Sequence, residues 1–223
     1  MPQTADRIFL GITGASGSVY AIRLLQVLVS AGRPVHVSIS PAGAEVLRQE
    51  LDVNLDLREP ALDVLLNYRP PRSWDPQNDW ESRLGELAES TPPTPPVQYA
   101  HYKDFLAPAA SGSATSGGMV VCPCSGGTMA AIANGISDNL IARAADVHLK
   151  ERRKLILVPR ETPLSLIHLE NMRRCTQAGA VILPAMPGYY HGVNGVQDLV
   201  DFIVARICDQ LEAPHNLIKR WGE

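Results

Sequence analysis

The sequence predicts an α/β protein whose mainly parallel sheet is covered by helices on both faces. Three features carry this reading. Short apolar runs alternate with stretches of helical periodicity along most of the chain, the pattern of strand–helix–strand units. The first apolar run leads into a glycine-rich turn and then a helix. A later run, Met119 to Cys122, leads into a second turn of the same kind, Cys124-Ser125-Gly126-Gly127-Thr128.

The elements follow in order. Arg7 to Ile12 forms the first strand, and the turn Gly11-Ile12-Thr13-Gly14-Ala15-Ser16-Gly17-Ser18 closes it. Val19 to Ala31 then places Ile22, Leu25, Leu28 and Val29 at helical spacing, with Gly32 as the cap. Val35-His36-Val37-Ser38-Ile39 is a second strand, and Ser40-Pro41 supplies an N-cap followed by proline at the first helical position. Between residues 67 and 96 periodicity is lost and Pro70, Pro71, Pro76, Pro92, Pro93, Pro95 and Pro96 accumulate. This predicts an insertion or lid, tethered by Trp74 and Trp80, within a single domain spanning 1–223. Further strands are expected at Val97 to Tyr102, Met119 to Cys122, Lys154 to Val158 and Ala180 to Leu183. Helices are expected at Thr128 to Asn134, Leu140 to Arg152, Leu166 to Gln177 and Val196 to Leu211.

At 223 residues, 45% of them hydrophobic, the chain is long enough for one sizeable core. A formal net charge of −3 provides no basic field for nucleic acid or an anionic membrane, so a small ligand or a protein partner is expected. The N-terminus enters the first strand without a signal-like apolar region, and no apolar stretch is long enough to span a bilayer; a cytoplasmic location is the expectation. Cys122, Cys124, Cys175 and Cys208 lack paired spacing, which argues against both a disulfide framework and a zinc site. Cys122-Pro123-Cys124 matches a redox pair only weakly, and buried structural thiols at a strand end are the favoured reading over redox activity.

The first turn lets backbone N–H groups approach an anion, with the positive end of a helix behind them, and so suits a phosphorylated cofactor. A nicotinamide dinucleotide site expects a further glycine where Tyr20 stands and an acid after the second strand where Ser40 stands. Both departures count against that cofactor, and a turn that only packs helix on strand stays open. The second turn offers hydroxyls and backbone donors at another helix start, so two turns can grip one ligand. Ala110 to Gly118, rich in Ser and Gly, reads as a mobile loop at the same edge, with a plain linker as the alternative.

Arg143 and Lys150 stand seven positions apart, hence on one face of a helix. The fifth strand ends in Pro159-Arg160-Glu161-Thr162-Pro163-Leu164, where an arginine beside a glutamate at a ligand-binding sheet edge makes an anion clamp with an adjacent acid/base group. An exposed ion pair is the bland alternative. Tyr190, in the loop after the sixth strand, and Arg206, on the last helix, carry no functional signal by themselves.

Together, Thr13-Gly14-Ala15-Ser16-Gly17, Cys124-Ser125-Gly126-Gly127-Thr128, Asn139-Leu140-Ile141-Ala142-Arg143-Ala144-Ala145-Asp146-Val147, Leu149-Lys150-Glu151-Arg152-Arg153, Pro159 to Leu164, His168-Leu169-Glu170-Asn171-Met172 and Pro184-Ala185-Met186-Pro187-Gly188-Tyr189-Tyr190-His191 closely resemble the bacterial flavin prenyltransferases (UbiX-type). The resemblance covers nearly all of the chain except the proline-rich segment. It implies a flavodoxin-like Rossmann three-layer sandwich, reduced FMN as the prenyl acceptor, and a homo-oligomer, a dodecamer in that family. It further implies dimethylallyl monophosphate or diphosphate as donor, and prenylated FMN made for a partner decarboxylase.

Carried over by position, Gly14, Ala15, Ser16, Ser40, Ser125, Gly126, Gly127, Thr128 and Arg160 resemble the FMN-binding set. Arg143, Lys150, Arg160, Tyr190 and Arg206 resemble the residues that hold the allylic phosphate. Ser16, Glu50, Glu161 and Lys150 correspond to residues near the reacting centre, with Glu161 passing a proton to the leaving phosphate. Phe105 falls where the family has a tryptophan against the allyl chain. Most prenyl-transferring enzymes stabilise the leaving phosphate with magnesium on DDxxD motifs; no such motif is present, so the basic side chains are expected to replace the metal. The resemblance sets the flavin-dependent cysteine decarboxylases aside, because their PxMNxxMW signature has no Asn after Met186 here. A flavin carrier without catalysis would tolerate loss of Lys150, Glu161 and Arg206, all of which are present.

Overall fold

The computed structural model describes residues 7–84, 97–219 and 222. Its strands are β1 (Ile8–Ile12), β2 (Val35–Ile39), β3 (Val97–Tyr99), β4 (Gly118–Cys124), β5 (Leu155–Pro159) and β6 (Val181–Ile182). They form one sheet in the order β3-β2-β1-β4-β5-β6, and every adjacent pair is parallel. Without the short edge strand β3 this is the flavodoxin-like order; with it, the doubly wound order that reverses direction between β1 and β4. The helices are α1 (Ser18–Ser30), α2 (Pro41–Leu51), α3 (Asp63–Leu66), α4 (Gly126–Ala133), α5 (Leu140–Lys150), α6 (Leu166–Ala178) and α7 (Val196–Leu211).

The sheet is buried on both sides, which is why its strands read as continuous apolar runs. Ile8, Leu10, Ile12, Val120, Cys122, Ile156 and Val158 pack with Ile22 and Leu25 of α1 and Ile203 and Ile207 of α7. The intervening Phe9, Met119, Val121, Leu155 and Leu157 pack with Met129 of α4, Leu140 and Ile141 of α5, and Cys175 of α6. Two apolar layers therefore follow from the period-two alternation of one sheet. Gly11 belongs to this packing: a Cβ there would lie 2.8 Å from Ile141 Cγ2.

The predicted elements occur with shifted ends. β3 stops at Tyr99 and β6 spans two residues, because an apolar run reports burial, and burial continues past the last ladder pair of an edge strand. The expected helices at Thr128, Leu140 and Leu166 begin or end within two residues of their predicted limits, and Val196–Leu211 matches. Ala110 to Gly118 departs from expectation. It precedes β4, so it lies at the amino edge of the sheet, where Gly117 N donates to Arg7 O at 2.8 Å and Arg153 donates to Ala114 O and Gly112 O.

Over its described part the proline-rich segment reaches the core through Trp80. Trp80 is 2% exposed, and its indole N–H donates to Gln26 Oε1 at 2.9 Å. The Gln26 amide in turn donates to the carbonyls of Leu65, Leu66 and Tyr68. Arg23, fully buried, lies 4.2 Å from the Trp80 ring centroid, donates to Trp80 O at 2.7 Å and pairs with Asp201 of α7 through two nitrogens. Arg83 completes the cluster with Asp79, Asp198 and Asp201, each at 2.8 or 2.9 Å. Residues 68–84 are thus fixed to α1 and α7 by paired charge, while 85–96 lie outside the described residues.

Removing one partner of a buried pair strands the other charge, so Asp201→Ala is expected to cost about 3–5 kcal/mol of unfolding free energy. Urea denaturation at unchanged slope measures it. Glu45→Ala, which breaks the exposed pair with Arg48, serves as the control and is expected to leave the midpoint where it is. Equal midpoints for the two variants would show that the cluster does not hold the segment.

Candidate active site at the carboxyl edge of the sheet

Sequence reversal between β1 and β4 opens a crevice at their carboxyl ends, and local chemistry there is set by three turns. Thr13 is buried and joins two of them: its Oγ1 donates to Pro123 O at 2.8 Å and accepts from Ser125 N at 2.8 Å. The third turn is held by Ser40 N, which donates to Ile12 O at 3.0 Å. Gly14 lies so close to α2 that a Cβ would sit 2.4 Å from Ala42 Cβ. Ser40 caps α2 by accepting from Gly43 N at 3.0 Å, and Ser125 caps α4 by accepting from Thr128 N at 3.2 Å. Gly14, Ala15, Ser16, Ser40, Ser125, Gly126, Gly127 and Thr128 are thereby brought to one edge.

The positive end of α1 already carries an anion. Gly17 N and Ser18 N both donate to the Glu50 carboxylate, at 3.0 and 2.9 Å, so these two donors face a side chain of the protein. The expectation that the first turn offers its helix end to a cofactor phosphate is corrected here: a second anion on the same donors would meet Glu50. The open donors are those of α2 and α4. At Gly127 of α4 a Cβ would meet no heavy atom within 4 Å, so backbone is exposed to a ligand.

Ser16, Glu50 and Arg160 line one open pocket of about 440 Å³, with Tyr20, Trp74 and Val196 on its walls. Arg160 Nε is buried without a hydrogen-bond partner, a donor placed for an incoming acceptor. Tyr20 is the site residue that the sequence reading passed over, since it registered only as a missing glycine. Its position in the first turn of α1, directly after the glycine turn, was the available signal. Burial foremost, then Cys122, Tyr189 and Glu50, pushes its phenol above the ordinary value, and Arg160 pulls the other way. Glu161 follows Arg160 in the chain, and its carboxylate accepts from Thr162 N at 3.0 Å. The four cysteines are free and buried; desolvation raises the Cys122 and Cys124 thiols far above their usual range, as structural thiols require.

The remaining basic candidates are elsewhere on the chain. α5 runs back along the sheet, so Lys150 emerges at the amino edge, paired with Glu151 at 2.5 Å beside Gly112. Arg143 donates to Ala110 O at 3.1 Å and pairs with Asp146. Tyr190 and Arg206 share a different groove with Phe202, the tyrosine ring standing edge-on to Phe202 at 5.8 Å. Phe105 is 45% exposed on the loop after β3. Large apolar side chains are also left in solvent: Leu106 at 96%, with Leu166, Ile167, Met186 and Tyr189.

Comparison with known proteins adds identity to this geometry. The Flavoprotein family model matches residues 2–208. A "Flavin prenyltransferase UbiX" of Pseudomonas aeruginosa is 46% identical over 218 residues, 98% of this chain and 95% of that protein. One of the same name from Methanocaldococcus jannaschii is 39% identical over 97% of this chain and 98% of its own, so the relatives include archaeal as well as bacterial proteins. Among solved structures, AnUbiX (PadA1) in complex with FMN and dimethylallyl pyrophosphate superposes with TM-score 0.75 at 35% identity, covering 97% of each chain. A dodecameric FMN-dependent UbiX-like decarboxylase of Escherichia coli O157:H7 gives TM-score 0.77 at 34% identity, covering 97% of this chain and all of the other. With its crevice, its turns and its relatives in agreement, the chain belongs to the UbiX flavin prenyltransferases of the Flavoprotein family.

Proposed function

We propose that this protein transfers a dimethylallyl group from dimethylallyl monophosphate or diphosphate to N5 and then C6 of reduced FMN, releasing prenylated FMN for a partner decarboxylase. The observation that carries the reading is the meeting of Ser16, Glu50 and Arg160 in one pocket at the switch point, in a chain 46% identical to a flavin prenyltransferase.

The residues fit the cofactor. Backbone exposed at Gly127, the capped helix ends at Ser40 and Ser125, and the unpartnered Arg160 Nε together ask for a phosphorylated, acceptor-rich ligand. FMN would be held by Gly14, Ala15, Ser16, Ser40, Ser125, Gly126, Gly127, Thr128 and Arg160. When bound in reduced form it supplies the nucleophilic N5 and the ring carbon that completes the new ring.

The chain's own residues manage charge and protons. Ionising an allylic phosphate places negative charge on the departing oxygens, and Arg160, Arg143, Lys150 and Arg206 are the cations to receive it. Phe105 offers a π face to the allyl group. Glu161, adjacent to Arg160, is the group to protonate the departing phosphate. Glu50, fixed by two backbone donors, and Ser16 beside it hold protons near the reacting carbon.

Arg143, Lys150, Tyr190 and Arg206 stand away from the pocket within one chain, so we infer that they come to it from other copies. Leu106, Leu166 and Ile167 supply apolar surface for that assembly. The dodecamer named for the E. coli relative is the arrangement we favour. No helix among the described residues is long and apolar enough to cross a membrane, and the free cysteines suit a reducing cytoplasm.

Incubating the reduced-FMN complex with dimethylallyl monophosphate, and separately with the diphosphate, should add one five-carbon unit to the flavin by mass spectrometry. No mass gain with either donor rejects the reaction. Glu161→Gln is expected to keep FMN while slowing prenylation by about 10²–10⁴-fold, the range for a lost general acid; wild-type rates would remove it from the chemistry. Combining Leu166→Asp with Ile167→Asp should dissociate the assembly in sedimentation and lower turnover by at least about tenfold, ~1.4 kcal/mol. A fully active monomer would show that one chain holds the whole site.

A further inference from the structure

The groove beside Tyr190 contains a chain of contacts that ends in the C-terminal segment. Arg206 projects from α7 with its side chain 51% exposed, and its Nη1 donates to Asp209 Oδ2 at 2.8 Å. Asp209 is only 17% exposed, and its other oxygen faces His215 Nε2 at 3.1 Å. A carboxylate only accepts, so His215 carries its hydrogen on Nε2 and donates. The His215 side chain is 3% exposed.

Local structure explains how the histidine arrives there. Glu212, at φ 52°, ends α7 in the left-handed conformation and turns the chain back, while Arg33 donates to Glu212 O at 3.1 Å. Ala213 and Leu217 then sink into the main core, which pins His215 against Asp209 from behind. An ordinary exposed pair one turn apart leaves both long side chains mobile and contributes little. Here the carboxylate is clamped from its far side, so the guanidinium it holds has one preferred direction, into a groove that it shares with Tyr190, Phe202 and Lys219.

We propose that Asp209 and His215 are positioning residues that aim Arg206 at the allylic phosphate, making the C-terminal segment part of the donor-binding apparatus. The proposal rests on the prenyltransferase reading and adds to it how Arg206 is set. Neither residue touches substrate; each acts through the arginine.

Steady-state prenylation by the FMN-loaded oligomer, with dimethylallyl monophosphate as donor, tests it. Asp209→Asn and His215→Phe are each expected to raise the donor KM about tenfold, ~1.4 kcal/mol, with kcat and FMN affinity near wild type. His215→Gln, whose amide N–H replaces the ring donor, should restore most of the KM. In an Arg206→Ala background, Asp209→Asn should add nothing further, since the group it aims is gone. Should His215→Phe fold poorly, shown by a lowered unfolding midpoint, the cycle between Asp209→Asn and Arg206→Ala decides alone. Unchanged KM in Asp209→Asn, or effects that multiply fully with Arg206→Ala, would overturn the positioning role while leaving the enzyme's activity intact. A wild-type protein that forms no prenylated flavin would overturn the activity as well.

Discussion

Thr13 is the side chain on which the site's geometry depends. The β1–β4 ladder ends with the Gly11–Val121 pair, and the register of β4 against β5 shifts between Val121 and Cys124. Pro123 has no N–H, so the backbone alone cannot continue the pairing. The threonine takes over: its backbone N–H and its hydroxyl both donate to Pro123 O, and the same hydroxyl accepts from Ser125 N. A hydroxyl is both donor and acceptor, so one buried group fixes the spacing of two turns that belong to different halves of the sheet. Ser16 and Ser125 keep their separation because of that bridge.

Among the helices that begin at this edge, α1, α2 and α4 are closed differently. Serine side chains cap α2 and α4, leaving further first-turn donors for a ligand, whereas α1 is closed by the carboxyl group of Glu50. This division places a carboxyl group in a fixed orientation inside the pocket that Arg160 and Tyr20 also line, where burial pushes the Tyr20 phenol above its ordinary value. The pocket therefore holds positive, negative and neutral hydrogen-bonding groups within a partly apolar wall formed by Trp74 and Val196.

A single α/β domain has difficulty concentrating more positive charge there. Crossover helices run antiparallel to the strands they connect, and an eleven-residue helix such as α5 carries its last residue about 15 Å from its first. Lys150 accordingly ends at the amino edge, behind the sheet from Arg160. On the proposed reading a second chain brings them together, and Leu106, Leu166 and Ile167 are exposed apolar side chains available to it. The buried Arg23–Asp201–Arg83 cluster serves a different end, holding the proline-rich residues 68–84 against α1 and α7 so that Trp74 reaches the pocket wall.

What the sequence by itself determined was local. Strand and helix order, the two glycine turns and the Ser40 and Ser125 caps were legible because periodicity, turn chemistry and capping are local, and the departures at Tyr20 and Ser40 counted against a nicotinamide site. Family resemblance extended this to Glu50 and Phe105, which no local pattern marks. Tertiary structure alone decided that Glu50 closes α1 across 33 residues, that Thr13 meets Pro123 across 110 and that Arg23 finds Asp201 across 178. It also decided that the Ser-rich loop before β4 lies at the amino edge and that Tyr20 enters the pocket. Such contacts depend on where the crossover helices land on the sheet, and that position is set by packing between distant segments, which no window of sequence contains.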